Sequence, residues 1–421
     1  MAQSGGRALL ARLVFGQTTA TLAAALLATS TLAEVKGPPK AGKSQSVKPA
    51  ITYSPMSFAQ LSGWEGDDHL AAFKAFSKSC ARLVGARERT GSDKALTSEA
   101  LLSACGEALK IARPNKASAR VFFEHNFTPN ALAHAGPEGL VTGYYEPLLE
   151  GSRTEQGAFR TPVYKRPPDL LTLVEETQRA GAAVSHGRKT ESGVEAYATR
   201  AQIDQGYLKG RNLELLFVAD PVDVFFMQIQ GSGRVKLTDG SIVRVHYDGK
   251  NGHPYTSIGR YLIEKGLLAA DKVSMGALSK WLRADPERGR QVMWQNASYV
   301  FFRELKGDDA KGPLGAMNTI LTPGRSIAID PAHHALGVPI WVDGSGMTHV
   351  HKGGTFHRLM VAQDVGSAIK GPERGDIFFG SGEAAGRLAG VTKHPCKFYV
   401  LLPNEPAVRA ARGEAPAGKA Q

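Results

Sequence analysis

Residues 361–380 read VAQDVGSAIKGPERGDIFFG. Two aspartates, Asp364 and Asp376, are separated by a turn-rich segment with Gly366, Gly371, Pro372 and Gly375. Asp376 leads directly into Ile377-Phe378-Phe379, an apolar run that reads as a buried strand. A carboxyl group at the lip of such a strand is held where water is scarce. Desolvation disfavours its ionised form and raises its pKa from a reference of about 3.9, the condition for a general acid near neutral pH. An isolated aspartate there could equally cap a turn, so the surrounding strands decide. From Gly312 onward the chain is short β segments with Gly/Pro turns: SIAID (326–330), VPIWVD (338–343), HRLMVAQD (357–364), DIFFG (376–380) and KFYVLL (397–402). This pattern predicts a small closed barrel. Asp330, Asp364 and Asp376 lie at its strand ends and are expected to converge on one rim. Lys370-Gly371 on that rim could hold an acidic ligand group. A nearby lysine would lower the pKa of Asp376, so Lys370 is expected to point away from it or be shielded.

The segment before the barrel has another texture. A strand is predicted from Leu140 to Tyr145, stopped by Pro147, and a polar loop of about 25 residues after PVYKRPP (162–168). A strand over 213–218 follows, then a hairpin with its turn at Asp239-Gly240, helices over 254–268 and 274–283, and a strand over 298–303. Tyr144 and Tyr145 sit at a Gly-flanked site. Gln228 and Gln230, two apart, would share one side of an extended strand. Gly231-Ser232-Gly233 allows close backbone approach, and Tyr247, Asn251 and Tyr255 follow. Aromatic faces with neutral amides and hydroxyls suit a sugar chain. For any single tyrosine, core packing is the alternative. The GSG is no phosphate loop, since it lacks GK[ST] and a strand–loop–helix context.

Arg7 and Arg12, the apolar or small residues 13–32 and a Thr31-Leu32-Ala33 cleavage pattern read as a signal peptide over 1–33. Residues 34–54 form a Pro/Lys/Ser linker expected to be disordered. Apolar periodicity predicts helices over 67–84, 97–112 and 118–126 within a helical part, 55–136. Residues 405–421 read as a frayed tail. In an exported chain two of the three cysteines should pair. Cys80 and Cys105 fall on consecutive predicted helices, and their bridge would add roughly 3 kcal/mol; Cys396 is the odd thiol. No His/Cys cluster has metal-ligand spacing. The net charge of +12 favours an anionic partner. It is spread without a dense Lys/Arg block or nucleic-acid fingerprint, which argues against nucleic acid.

GYYEP (143–147), FFMQIQGSGRV (225–235), YDGKNGHPYTSIGRYLI (247–263), NASYVFF (296–302), LTPGRSIAIDP (321–331) and DVGSAIKGPERGDIFFGSG (364–382) together resemble the murein lytic transglycosylase A family, in order over about 240 residues. The resemblance implies a β-rich α+β architecture. It comprises a double-psi β-barrel ("3D") domain, 301–404, packed with the helices of 55–136, and an inserted β-rich domain, 137–300. A groove between them holds a peptidoglycan glycan strand. It also implies that Asp376 is the single catalytic acid, that Asp364 and, more weakly, Asp330 support it, and that no metal or organic cofactor takes part. The reaction implied is non-hydrolytic cleavage of the β-1,4 bond between N-acetylmuramic acid and N-acetylglucosamine. Two departures stand out. Ser367 replaces a glycine of the family's DxGGAIKG, and no cysteine precedes Cys80, so a lipid anchor does not carry over. The product is expected to be a monomeric periplasmic protein, not a lipoprotein, at most weakly associated with the outer membrane or cell-wall complexes. Two other readings stay open: a two-carboxylate glycoside hydrolase, which needs Asp364 and Asp376 about 5–10 Å apart, and a non-catalytic murein-binding scaffold.

Overall fold

Three N-capped or aromatic-rich helices open the fold. The computed structural model describes residues 51–90, 98–173, 186–191, 193–344, 346–350 and 354–405; the expected signal peptide and the tail beyond Glu405 lie outside them. Strand β1 (Thr52–Pro55) precedes helix α1 (His69–Thr90), α2 (Glu99–Lys110) and α3 (Lys116–Asn126). Ser98 caps α2 by accepting from Leu101 N at 3.2 Å, and Asn115 caps α3 by accepting from Ser118 N at 2.9 Å. Cys80 of α1 is disulfide-bonded to Cys105 of α2, with Cα atoms 4.8 Å apart. Phe73 and Phe76 of α1 meet Phe122 and Phe123 of α3 edge-on or tilted, with centroids 5.0–6.3 Å apart. These rings bury against Trp341, Ile340 and Leu359 of the barrel in one core. Removing one such ring costs about 3–5 kcal/mol.

The chain then forms β2 (Phe127–Ala133) and β3 (Leu140–Glu146), leaves on a long excursion, and returns as β13 (Ser326–Ile329), β14 (Pro339–Gly344), β15 (Phe356–Val365), β16 (Arg374–Ser381) and β17 (Lys393–Pro403), with helix α9 (Glu383–Val391) before the last. Strands β17-β14-β15-β13-β16-β3 pair in that order, and β3 pairs back onto β17, so six strands close into a barrel; β2 and β1 extend it beyond β17. The sixth barrel strand is therefore Leu140–Glu146, from the stretch read as the start of the insert. It lies parallel to β16 and antiparallel to β17, and the C-terminal strands alone leave the ring open. Likewise Thr52–Ser54, read as linker, are held in β1 against β2.

The excursion builds a second sheet. Its strands β4 (Leu148–Ser152), β5 (Thr161–Tyr164), β9 (Glu214–Val218), β10 (Ser232–Leu237), β11 (Ile242–Lys250) and β12 (Val300–Glu304) run β12-β11-β10-β4-β9-β5. A bridge between Lys165 and Phe302 brings the sheet's two edges together around a Val/Leu-rich core. The expected polar loop is in part a small sheet of β6 (Leu170–Thr172), β7 (His186–Thr190) and β8 (Gly193–Glu195); its residues 174–185 and 192 lie outside the described ones. A short turn of helix, α4 (Arg200–Gln202), follows. Then α5 (Pro221–Gln230), and later α6 (Ile258–Glu264), α7 (Met275–Ala284) and α8 (Pro286–Met293), cover one side. Helix α5 corrects the extended reading of Gln228 and Gln230. Asp220 caps it by accepting from Val222 N at 2.8 Å, Pro221 starts it, and Gly231 at φ +75° ends it.

Where the chain leaves the barrel, fully buried Glu146 receives Arg244 Nε at 2.6 Å, Arg244 Nη2 at 3.1 Å and Ser381 Oγ at 2.7 Å, with Arg234 Nε at 3.3 Å. Where the chain returns, the same Arg244 donates to Ala310 O. One arginine thus ties both crossings between the two β bodies.

Candidate active site

The two β bodies face each other across a cleft of about 480 Å³, within the usual 300–1,000 Å³ of ligand sites. Alternation along β3 and β16 sets its barrel wall. Asp376 pairs in register with Thr142, and Phe378 with Tyr144, so all four share one face. Tyr144 and Phe378 pack at 5.3 Å and, with Ala328, Leu321 and Ile369, make an apolar floor. On the other side of β16, Ala328 of β13 pairs with Asp376 and also with Asp364 of β15. A bulge at Gln363 breaks the alternation of β15 just before Asp364. Buried Gln363 is pinned by bonds from its amide to Ala75 O at 2.9 Å and Ser79 Oγ at 2.8 Å, so α1 fixes the bulge that aims Asp364.

The two aspartates are held differently. Asp364 Oδ1 accepts from Ala316 N and Val365 N, each at 2.9 Å, and its Oδ2 accepts from the Tyr144 hydroxyl at 2.8 Å. Asp376 Oδ1 accepts from Thr142 Oγ1 at 2.6 Å, and its Oδ2 has no partner among the described residues. Arg374 Nη2 donates to Thr142 Oγ1 at 2.9 Å, so the threonine proton is directed to Asp376. Burial pushes both carboxyls up to about 6, against the opposing pull of their hydrogen bonds and, for Asp376, of Arg374. Asp376 thus keeps a substantial protonated fraction up to about pH 6, with one oxygen facing the cleft.

Of the residues singled out in the sequence, Tyr144, Gln228, Gln230, Gly231, Ser232, Tyr247, Tyr255, Asp364 and Asp376 line the cleft. Tyr144 spends its hydroxyl on Asp364. Gln228 donates to Val300 O at 3.2 Å, and Gln230 Oε1 accepts from Tyr145 N at 2.9 Å, tying α5 to β3. The rest lie elsewhere. Tyr145 points to the opposite face of β3, against Gly386 of α9. Gly233 lies beneath Met227, whose sulfur would be 2.4 Å from a Cβ there. Asn251 is fully buried. Its amide donates to Ala198 O at 2.9 Å and Ala297 O at 2.8 Å, and its oxygen accepts from Tyr299 N at 2.9 Å, so it holds backbone and not ligand. Asp330 does not join the other two aspartates. Standing past the end of β13, it is buried and accepts from Gly371 N at 3.0 Å, with Lys370 Nζ at 3.4 Å. Lys370 and Gly371 are thereby turned to Asp330 as a loop brace, and Lys370 is kept from Asp376.

Sequence reasoning missed several residues in or beside the cleft. Thr142 was legible as the residue two before Tyr144 on the same strand face. Ala316, Arg166, His246, Asp248 and Arg303 carried no local signal, since their role comes from which strands meet. Lys250, buried on β11, donates to Ser367 Oγ at 2.9 Å across the cleft. The residue that departs from the family pattern thus makes a contact that glycine could not. Among the described residues no group of three or more His, Cys, Asp or Glu is placed to hold a metal ion, and no helix is long and apolar enough to cross a membrane.

With this geometry the comparisons agree. Residues 140–303 match the family model of the MltA specific insert domain and residues 325–402 that of the 3D domain. The membrane-bound lytic murein transglycosylase A of Vibrio cholerae is 32% identical over 275 residues, 63% of this chain and 66% of that protein. The chain thus spans about two thirds of that curated relative's length. The crystal structure of a membrane-bound lytic murein transglycosylase from Agrobacterium tumefaciens is 36% identical, with a TM-score of 0.75, covering 86% of this chain and 100% of that one. Escherichia coli MltA with bound chitohexaose is 27% identical, with a TM-score of 0.60, covering 85% and 96%. The chain belongs to the MltA family of lytic murein transglycosylases.

Proposed function

We propose that the chain cleaves peptidoglycan glycan strands as a lytic transglycosylase, with Asp376 as acid and then base. The carrying observation is the asymmetry of the two carboxyls. Asp376 keeps an oxygen open to the cleft, whereas both oxygens of Asp364 are engaged by three donors. Protonated Asp376 gives its hydrogen to the glycosidic oxygen as the bond to muramyl C1 breaks. The positive charge at C1 is stabilised by the Asp364 carboxylate. The C6 hydroxyl then bonds to C1 while its proton returns to Asp376, closing a 1,6-anhydro ring without consuming water. The bound chitohexaose of the E. coli relative supports a glycan as ligand.

This reading includes export to the periplasm and at most a peripheral association with the outer membrane; the relatives' description as membrane-bound supports an association with a membrane. Digestion of purified sacculi tests the chemistry. Released muropeptides should end in anhydromuramoyl groups, lighter by one water than reducing ends. Reducing ends would indicate the two-carboxylate hydrolase, and no release a binding scaffold.

A further inference from the structure

The insert-domain wall of the cleft holds a second set of polar groups that the acid chemistry does not use. Ser232 of β10 pairs in register with His246 of β11, and His246 with Arg303 of β12. Residues directly opposite on neighbouring strands share a face, with Cβ atoms about 4.5–5.5 Å apart. The three side chains therefore form one row across three strands, and all three line the cleft. None has a protein hydrogen-bond partner among the described residues. The Nδ1 atom of His246 is buried without a partner. Among the described residues Arg303 meets a single carboxylate, Asp248 Oδ1, at 3.8 Å from Nε, beyond hydrogen-bond reach, and its side chain is 40% exposed. Burial and the charge of Arg303 push the His246 imidazole down to about 4, so at neutral pH it offers one N–H and one acceptor.

An imidazole N–H with a guanidinium on one side and a hydroxyl on the other is a donor row with one full positive charge. The natural complement of its charged end is a carboxylate, which accepts bidentately from a guanidinium. A sugar hydroxyl would leave the charge facing only Asp248, at 3.8 Å. In a murein strand the carboxylates are on the peptide stems, not on the sugar rings. We infer that Ser232, His246 and Arg303 form a site for a carboxylate of the substrate's stem peptide, facing the wall that carries Asp376. This rests on the murein reading above. The insert domain then orients the strand by its stems while the barrel cleaves it.

The test uses the whole protein and three forms of one strand preparation: native stems, stems with carboxylates converted to neutral amides, and strands stripped of stems by an amidase, which keep only the lactyl carboxylate. The readout is the ratio of kcat/KM between forms. Wild type should favour native over amidated strands by about tenfold, the worth of one charge-assisted bond, and should treat stripped strands like amidated ones. In Arg303→Gln the native-to-amidated ratio should fall to about one, and Arg303→Lys should restore part of it. The thermal midpoint of each variant separates unfolding from lost recognition. A wild-type ratio of one, a ratio that survives in Arg303→Gln, or stripped strands cleaved like native ones would each overturn the assignment. Absence of anhydro products from wild type on every form would instead defeat the underlying murein reading.

Discussion

Asp364 and Asp376 flank Ala328, each paired to it from a neighbouring strand. At about 4.8 Å per strand step, their Cα atoms stand roughly 10 Å apart on one face, with only a methyl group between. That spacing admits a hydrolytic pair as well as a lone acid, so substitution must separate them. Asp376→Asn keeps the shape but has no proton to give. It should lower turnover by about 10²–10⁴-fold while strand binding, measured by co-sedimentation with sacculi, is retained. Asp364→Asn should leave a measurable anhydro product. If water were activated by Asp364, both variants would be equally inert and wild-type products would carry reducing ends.

The pH dependence follows from the same burial. As the proposed acid Asp376 must start protonated, and its carboxyl is pushed up to about 6, so kcat/KM should fall as pH rises through that value. The Thr142 hydroxyl donates to Asp376 and favours its ionised form. Thr142→Val should therefore move the alkaline limb to higher pH; an unmoved limb would show that another group governs it.

Stability should respond with the opposite sign to an ordinary salt-bridged aspartate. Between about pH 4 and 6 the folded chain binds more protons at Asp364 and Asp376 than the unfolded chain does, so ΔG of unfolding declines as pH rises across that window. Denaturant melts at pH 4.5 and 6.5, roughly the two ends of that window, would check this. The decline should shrink in Asp376→Asn.

Much of this was legible before the structure. The short apolar runs of SIAID, HRLMVAQD and DIFFG between Gly/Pro turns are a local signal and gave barrel strands. The Asp220-Pro221 start and Gly231 stop were equally local, yet the apolar run VDVFFMQIQ fits either period when short, and the helix went unread. What local signals cannot carry is which distant strands meet. Asp330 looks like Asp364 and Asp376 in sequence. Only the register of β13 shows that Ala328 faces the cleft and that Asp330 lies beyond the strand end, bonded to Gly371. The sixth barrel strand, and the row of Ser232, His246 and Arg303, are likewise products of pairing across long separations.

The Cys80–Cys105 bridge closes a loop of 25 residues between α2 and α1, the helix that holds the Gln363 bulge. Replacing both cysteines by alanine should cost about 3 kcal/mol. Because Gln363 hangs from α1 through Ala75 and Ser79, part of the loss should appear as reduced kcat below the melting transition. A destabilised variant with wild-type kcat at low temperature would show that α1 keeps its place without the bridge.

Glu146 offers the sharpest test of how the cleft keeps its shape. It is fully buried, is approached by Arg234 and Arg244, and sits at the outward crossing between barrel and insert. Arg244 also reaches the returning crossing at Ala310. Removing one partner of a buried ion pair leaves uncompensated charge and costs about 3–5 kcal/mol. Glu146→Gln should therefore lower the denaturant midpoint strongly, since two arginines would share a neutral amide. Arg244→Gln should do so as well, and should also free the returning crossing, so that KM for long strands rises more than it does for short fragments. The double variant should cost less than the sum of the singles, because each single change already breaks the same contact. Strict additivity would mean that the two side chains act independently and that the crossings are held by backbone pairing alone.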